Sequence, residues 1–502
     1  MVSSSHQLKL GAIISYVAIF INIVAGLLYT PWMINSIGRE NFGLYTLAMS
    51  VITLFVFDFG LSSSITRFIA KYLAEDNQRK ANDCLGLVYR LYIAIDILLF
   101  ILLVSVFFFI PHIYKELTPE EIEKFEVVYS IAAVYSVVSF PFIPINGVLN
   151  AHEKFIQVKA CDVLHKLIIV GTMSICLLLG YGLYALVLVN ALSGVITIGF
   201  KLYCIYRYTD QKINWNYFNK REFREIIGFS GWVTVIALAQ RSIFNLAPSV
   251  LGVLSGSTAI AILGIAITME GYTYTFANAI NGMFLPKVSR IVVSEDGDVL
   301  PLMTRIGRIQ IYIVGLILLG VICFGHEFIH LWVGDGFSDS YYCAILIIVP
   351  SLFYLPKMIG IETVYAKNQV KKMAIVQVLM AVFNLIGAVL LSSSMGAIGI
   401  CISICVAYMV RTLCMDIIFY KDLRIDMAQF YKDSFAKMMF PILLCGAVGY
   451  VCGYLIPFHS WVGFIIKVGS FVVAYVAIMY IMVMNNDEKS LIFHPLRRIV
   501  KK

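Results

Sequence analysis

Residues 84–110 read CLGLVYRLYIAIDILLFILLVSVFFFI, an almost unbroken apolar stretch whose charged side chains are Arg90 and Asp96. About 20 apolar residues in a helix cross the roughly 30 Å of hydrocarbon in a bilayer, so this stretch predicts a membrane span. The spans predicted in the same way are 11–34, 43–65, 84–110, 127–149, 160–180, 182–205, 227–250, 257–284, 308–325, 341–364, 373–392, 395–419, 436–456 and 461–484. The sequence therefore predicts an all-α integral membrane protein with about fourteen transmembrane helices.

The lysines and arginines fall almost entirely in every second gap between these spans. The chain has 38 lysines and arginines. In this count the other gaps hold Arg39, Lys115 and Lys124, and the spans hold Arg90, Arg241, Lys357 and Lys467. Because cytoplasmic loops carry the excess of Lys and Arg, this pattern predicts that both termini are cytoplasmic. The net charge of +8 is spread over separate loops, which favours anionic lipid and not nucleic acid as the partner.

A weak internal repeat divides the chain. The segment from Pro141 to Ala151 recurs as the segment from Pro356 to Ala366, each at the inner end of a predicted span. An even number of spans separates the copies, which predicts two pseudo-symmetric six-helix bundles around a central cavity, related by an axis along the membrane normal. We predict one bundle over residues 1–209, a second over 210–420, and two extra helices with a basic cytoplasmic tail over 421–502.

Two neighbouring spans carry polar side chains at helical spacing, on one face of each helix. They are Ser230, Thr234, Arg241, Asn245 and Pro248 in the span 227–250, and Glu270, Tyr274, Asn278 and Asn281 in the span 257–284. Because charges inside a bilayer are costly and usually face a pathway, these stripes predict the lining of a water-filled cavity. The alternative is a structural Arg241–Glu270 ion pair that has no role in binding.

The other ionisable groups inside spans each have two interpretations. Arg90, Lys357 and Lys467 either contact the substrate or anchor their helices by extending towards the membrane surface. Asp58 and Asp96 either carry a coupling proton or pair with a nearby cation.

Residues 326–330 read HEFIH and match the H-E-x-x-H motif, in which two histidines bind zinc and the glutamate activates water. Asp335 is the available third ligand. The alternative is a helix end at the membrane interface, where His and Trp side chains such as Trp332 commonly lie. We favour that alternative and predict neither a metal nor a cofactor. Among the cysteines, a Cys323–Cys343 bridge is the pairing that the sequence leaves open.

Six short motifs, taken in order, resemble those of one family. They are PWMINSIGRENFGLY at 31–45, FDFGL at 57–61, NGVLNA at 146–151, GFSGW at 228–232, FLPKVS at 284–289 and LWVG at 331–334. In order and spacing they resemble the bacterial O-antigen and capsule flippases of the multidrug/oligosaccharidyl-lipid/polysaccharide exporter superfamily. The resemblance covers nearly the whole chain.

The resemblance implies two six-helix bundles plus two helices, in the bacterial cytoplasmic membrane. It implies that the chain moves undecaprenyl-diphosphate-linked oligosaccharide from the inner to the outer leaflet by alternating access, with a polysaccharide polymerase as a further partner. In that function Arg241 would attract the diphosphate, and the Glu270 stripe would line the sugar path. Many relatives carry an acid near the middle of the seventh span, but residues 244–248 read FNLAP. Ion coupling would then use another group, such as Glu270, or be absent.

Two other functions compete with this one. A multidrug cation antiporter of the same superfamily would need an acidic cavity, whereas the deep charges of this chain are mixed. A membrane enzyme such as a polysaccharide polymerase or ligase would need a sizeable outer loop, and the predicted outer loops are short. We therefore predict a transporter and not an enzyme.

Overall fold

The computed structural model describes residues 23–55, 61–278, 291, 298–367, 369–455, 460–486 and 488–489. All regular secondary structure in these ranges is helical. The α-helices are α1 (Ile23–Ile37), α2 (Arg39–Phe55), α3 (Leu61–Ala74), α4 (Gln78–Ile113), α5 (Pro119–Ser139), α6 (Ile145–Ala151), α7 (Phe155–Leu178), α8 (Leu183–Tyr208), α9 (Lys220–Asn245), α10 (Ala247–Leu254), α11 (Gly256–Asn278), α12 (Leu300–Val333), α13 (Asp339–Tyr354), α14 (Met358–Ala366), α15 (Val370–Lys421), α16 (Met427–Tyr431), α17 (Lys437–Leu455) and α18 (Trp461–Met482).

In the described part of the chain, 11 helical segments are long and apolar enough to cross a membrane. One of these segments, α15, is two helices joined at Gly396, where a φ of 54° interrupts the helical backbone. Glycine adopts positive φ without steric cost, so the chain can bend there. With α1 and α2 in the first two predicted spans, the result confirms the all-α membrane fold with about fourteen spans.

Several helices extend well beyond the hydropathy-based spans. The span predicted at 308–325 is the middle of α12, and the span predicted at 84–110 is the middle of α4. Polar capping explains part of the extension, since the Asn77 side chain accepts a hydrogen bond from the Lys80 N–H at the start of α4. Hydropathy marks the apolar centre of a helix, whereas its ends are fixed by caps and by polar partners.

The two copies of the sequence repeat share a break in the backbone. After α5 the chain forms a 3-10 turn at Phe140–Phe142 and continues into α6, and after α13 it forms one at Leu355–Lys357 and continues into α14. Each turn contains the repeated proline, which cannot donate the hydrogen bond of a continuous helix. The domain boundaries near residues 209 and 420 stay predictions.

Backbone packing groups the described residues into two compact units. Unit 1 comprises those up to residue 264 together with 370–407, and unit 2 comprises 265–369 together with those from 408 onwards. In unit 1, α2 packs against α5 and α8, α3 packs against α4 and α6, and α7 packs against α8. In unit 2, α12 is central and packs against α13, α17 and α18.

Gly43, inside the first family motif, lies where α2 meets the start of α11 in unit 1. A Cβ atom at this position would lie 2.2 Å from the Ser257 carbonyl oxygen, so we expect Gly43→Ala to force the two helices apart. Overpacking of this kind costs about 1–3 kcal/mol. Gly171→Ala in α7 is the matched control, because a Cβ there meets no atom within 4 Å. Thermal unfolding of the purified variants in detergent measures the effect, and equal midpoints for Gly43→Ala and wild type would contradict the prediction.

Candidate functional site

Arg241 lies in the second half of α9, in unit 1, and its side chain is half-buried. Its Nη1 donates a 2.9 Å hydrogen bond to the carbonyl oxygen of Thr53, near the end of α2. Thr234 lies two turns earlier and Asn245 one turn later, both half-buried. The Thr53 contact ties the Arg241 side chain of α9 to the end of α2.

A second arginine and an aspartate lie on α4 in the same unit. Arg90 is exposed, and its Nη2 donates a hydrogen bond to the carbonyl oxygen of Trp215. Asp96 has a buried Oδ1 atom without a hydrogen-bond partner among the described residues. A buried carboxylate oxygen without a partner is costly, and such groups in membrane helices commonly serve function. Both residues stay candidates, Arg90 for substrate contact and Asp96 for coupling.

In unit 2, Glu270 lies with three tyrosines and one arginine, which we call the tyrosine cluster. Glu270 is 8% exposed, and its carboxylate has no hydrogen bond or ion pair with the described residues of unit 2. It lies within electrostatic reach of Tyr274, Tyr354 and Tyr408. The Arg411 guanidinium lies over the rings of Tyr354 and Tyr408, 5.8 and 5.9 Å from their centroids. The cluster thus holds a buried carboxylate and a cation–π-bound arginine inside the membrane-spanning part of the unit.

Lys357, predicted as a substrate contact or an anchor, lies in the 3-10 turn after α13. Its Nζ is 2.6 and 2.9 Å from the carboxylate oxygens of Asp416 in α15. The Tyr431 hydroxyl donates a 2.6 Å hydrogen bond to the same carboxylate. The Lys357 side chain is 3% exposed, so the lysine is enclosed with its counter-ion. This geometry favours the anchoring interpretation.

The H-E-x-x-H segment forms the end of α12 and makes two separate contacts. The Glu327 carboxylate binds the buried Lys467 ammonium of α18 at 2.8 and 2.9 Å. His330 Nε2 lies 2.8 Å from Asp335 Oδ1. In the part of the chain that the structure describes, no three His, Cys, Asp or Glu side chains lie together as a metal site would require. Cys323 and Cys343 are both free thiols.

A third buried pair joins α12 to the segment that follows α18. Arg308 Nε donates to Glu488 Oε1 at 2.6 Å, and Tyr312 donates to Glu488 Oε2 at 2.9 Å. Burial opposes ionisation of Glu488, but hydrogen bonds from Arg308 and the Asn485 backbone hold its pKa below the ordinary value. The pair ties the end of the described chain to the central helix of unit 2.

Four further cations lie inside the predicted spans, although the count by gaps assigned them to inner segments. They are Lys166, Lys201, Arg308 and Arg411, and they lie within α7, α8, α12 and α15. Nearby counter-charges or aromatic rings make this possible, as when Lys201 binds Asp162 at 3.1 Å. Arg411 was not among the predicted site residues. Its position inside a predicted span, one turn after Tyr408, was the signal that could have identified it.

Four of the predicted site residues fall where the structure gives little or no description. Asp58 and Asn281 lie outside the described residues. Ser230 and Asn278 are described as helical, but their side chains are not. Arg241 and Glu270 belong to two different units, so the predicted cavity lining and the alternative of an Arg241–Glu270 ion pair both stay untested.

Among solved structures, the chain is similar in fold to three membrane transporters. The lipid II flippase MurJ, in its inward closed conformation, matches with a TM-score of 0.72 at 14% identity, over 96% of this chain and 99% of MurJ. An inward-facing multidrug MATE transporter of the MOP superfamily matches with 0.64 at 15% identity, over 84% of this chain and 99% of that one. The MATE multidrug transporter DinF-BH matches with 0.63 at 11% identity, over 83% of this chain and 95% of that one.

The sequence comparison identifies the family. No curated protein matches the chain. The family described as polysaccharide biosynthesis protein matches residues 8–292, which is more than half of the chain and includes α1 to α11. The chain therefore belongs to the polysaccharide biosynthesis protein family and has the fold of the MOP-superfamily transporters.

Proposed function

We propose that this protein is a flippase that moves undecaprenyl-diphosphate-linked oligosaccharide from the inner to the outer leaflet, for surface polysaccharide assembly. Its membrane would be the bacterial cytoplasmic membrane, with both termini in the cytoplasm. The family membership supports this substrate class, and the fold supports a transporter. Anionic lipids would bind the basic inner loops, and a polysaccharide polymerase would receive the product.

The proposal rests on which groups contact the lysines and arginines that lie inside the membrane-spanning helices. Lys357, Lys467 and Arg308 each face a carboxylate in a buried ion pair. By contrast, Arg90 is exposed and contacts a backbone carbonyl, and Arg241 is half-buried with its Nη1 on another carbonyl. Unit 1 thus holds two arginines at exposed or half-buried positions, whereas these three cations of unit 2 are enclosed with carboxylates.

Arginine suits the diphosphate better than lysine does. Its planar guanidinium offers parallel N–H donors that match two phosphate oxygens, and it stays charged inside a membrane protein. In the proposed function Arg241 binds the diphosphate, while Asn245 and the Glu270 stripe offer hydrogen bonds to sugar hydroxyls. Asp96 and Glu270 are the groups that would couple transport to an ion gradient.

The test is the fate of radiolabelled lipid-linked oligosaccharide in cells depleted of this protein. We expect it to accumulate on the inner leaflet while surface polymer disappears. Re-expression of the chain should restore both distributions. Normal appearance of the label on the outer leaflet throughout depletion would refute the proposed function.

One observation favours a second function. The carboxylate of Glu270 is buried within electrostatic reach of three tyrosines, and no ion pair joins it to a described residue of unit 2. Carboxylates and aromatic faces together are suited to binding organic cations. A multidrug cation antiporter would use Glu270 as the drug or proton site.

The variant Glu270→Gln separates the two functions. For a flippase, we expect unchanged tolerance to cationic drugs and a several-fold loss of oligosaccharide translocation, since one polar contact contributes about 0.5–1.5 kcal/mol. Drug tolerance and surface polymer are measured in the same deletion strain carrying each variant. Glu123→Gln, which changes an exposed carboxylate, is the control. Loss of drug tolerance with normal surface polymer would move the assignment to the antiporter.

A further inference from the structure

A groove in unit 1 lies between α2, α4 and α9. It encloses a cavity of about 410 Å³, and its wall includes Leu54, Ile95, Leu98, Leu102, Leu238 and Leu246. Leu98 is 67% exposed and Leu102 is 48% exposed, so the groove is open along α4 and a chain can enter from the side. A volume of this size is typical of a ligand pocket.

The wall of the groove has hardly any free polar group. Ser242 is the one hydroxyl residue in the wall, and its Oγ donates a 2.8 Å hydrogen bond to the Leu238 carbonyl oxygen. Ser242 and Leu246 also line a second cavity of about 200 Å³ on the other side of α9, against Ala381 and Leu385 of α15. The two cavities thus share Ser242 and Leu246 of the α9–α10 segment as lining residues.

Arg241 lies at the edge of this groove. It is adjacent in sequence to Ser242 and one turn from Leu238, both of which line the wall. Its guanidinium contacts the carbonyl oxygen of Thr53, and Leu54 and Phe55, the next two residues, also line the wall. A cation therefore borders a long apolar groove, which matches a ligand with an anionic head and a hydrocarbon chain.

We propose that the groove between α2, α4 and α9 holds the polyprenyl chain of the lipid whose diphosphate Arg241 binds. This inference rests on the proposed function and adds the recognition of the lipid tail to it. Bilayer lipid is as apolar as the groove, so burial of the chain in it gains little free energy by itself. The diphosphate on Arg241 supplies the preference, because it holds the first isoprene units beside the groove and makes their binding intramolecular.

The proposal is tested with purified full-length protein in vesicles of phosphatidylethanolamine and phosphatidylglycerol. The probe is undecaprenyl diphosphate with a photoactivatable diazirine on an isoprene unit near the diphosphate. We expect adducts within residues 95–102 of α4 and 238–246 of α9. Unlabelled undecaprenyl diphosphate should compete for these adducts, whereas added phosphatidylglycerol should not.

Bulky substitutions give a second readout. Leu98→Trp and Leu238→Trp fill the groove and should each lower the yield of adducts in α4 and α9 several-fold, whereas the Kd for undecaprenyl diphosphate, which depends mainly on the diphosphate, should change little. Ile101→Trp is the control, since Ile101 lies on the same helix, is 55% exposed and does not line the groove. Thermal unfolding confirms that each variant is folded. Photo-crosslinking of the wild-type protein uses no variant, so this first readout stays valid even if a tryptophan variant misfolds.

The outcomes distinguish this inference from the function on which it rests. Adducts elsewhere in the chain, with binding that still depends on Arg241, would overturn the groove and leave the flippase proposal standing. Equal competition by phosphatidylglycerol would also overturn it, because the groove would then hold ordinary acyl chains. Failure of wild-type protein to bind undecaprenyl diphosphate would overturn both proposals together.

Discussion

Replacing Arg241 with alanine is expected to abolish surface polysaccharide while the protein still reaches the membrane. The substitution removes the cation proposed to bind the diphosphate, together with its hydrogen bond to the Thr53 carbonyl. Truncating a charged group that pairs with another buried charge costs about 2–5 kcal/mol, which corresponds to about 1.5 to 3.5 orders of magnitude in affinity. The measurement is the translocation rate of radiolabelled lipid-linked oligosaccharide, with the membrane level of each variant quantified in parallel.

The matched control for this substitution is Gln240→Ala, which truncates an exposed neighbour on the same helix. Arg241→Lys should retain part of the activity, because lysine keeps the charge but loses the paired donors that match two phosphate oxygens. Wild-type amounts of polymer in a stably inserted Arg241→Ala variant would rule out the proposed role of this residue.

Replacing Lys357 with methionine is expected to lower the free energy of unfolding by about 3–5 kcal/mol. Methionine leaves the Asp416 carboxylate, whose side chain is 14% exposed, with the Tyr431 hydroxyl and without its cation. A buried ion pair stabilises the fold little more than apolar residues of similar volume would. Removing one partner, however, leaves the other charge buried and uncompensated. Thermal unfolding in detergent measures the loss, and Lys432→Met, at an exposed position nearby, is the control.

The double variant Lys357→Met with Asp416→Asn distinguishes anchoring from substrate contact. Removing both charges should recover most of the stability, since no unpaired ion then remains. If Lys357 only anchors α13 and α14, the double variant transports at nearly the wild-type rate. A stable but inactive double variant would instead support the substrate contact that the sequence predicted. A single variant as stable as wild type would contradict the burial argument itself.

The sequence predicted the helices well because a membrane span is a local property. About 20 apolar residues are sufficient to cross the bilayer, and the backbone of a helix satisfies its own hydrogen bonds there. Residues 84–110 therefore predicted α4 without reference to any other part of the chain. The extension of α12 to Val333 was missed because this end carries polar residues such as His326 and Glu327, and Glu327 binds the distant Lys467 of α18.

The candidate site was predicted in part. Helical spacing placed Arg241 and Asn245 on one helix and marked Glu270 and Tyr274 as neighbours on another, and the structure has them on α9 and α11. Helical spacing puts Arg411 one turn after Tyr408 on α15, but it gave no indication that Tyr354 of α13 would join them. The contact between Arg411 and Tyr354 joins two helices that are far apart in the chain, and no pattern within one helix can show it.

By itself the sequence determined the all-helical membrane fold, the family and the positions of the charges along the helices. The tertiary structure decided which charges are neutralised. Lys467 and Glu327 are 140 residues apart and Arg308 and Glu488 are 180 apart, yet each pair is in direct contact. Hydropathy follows from the residues of one segment, whereas the free energy of a charge in the membrane depends on the groups that packing brings within a few ångströms of it.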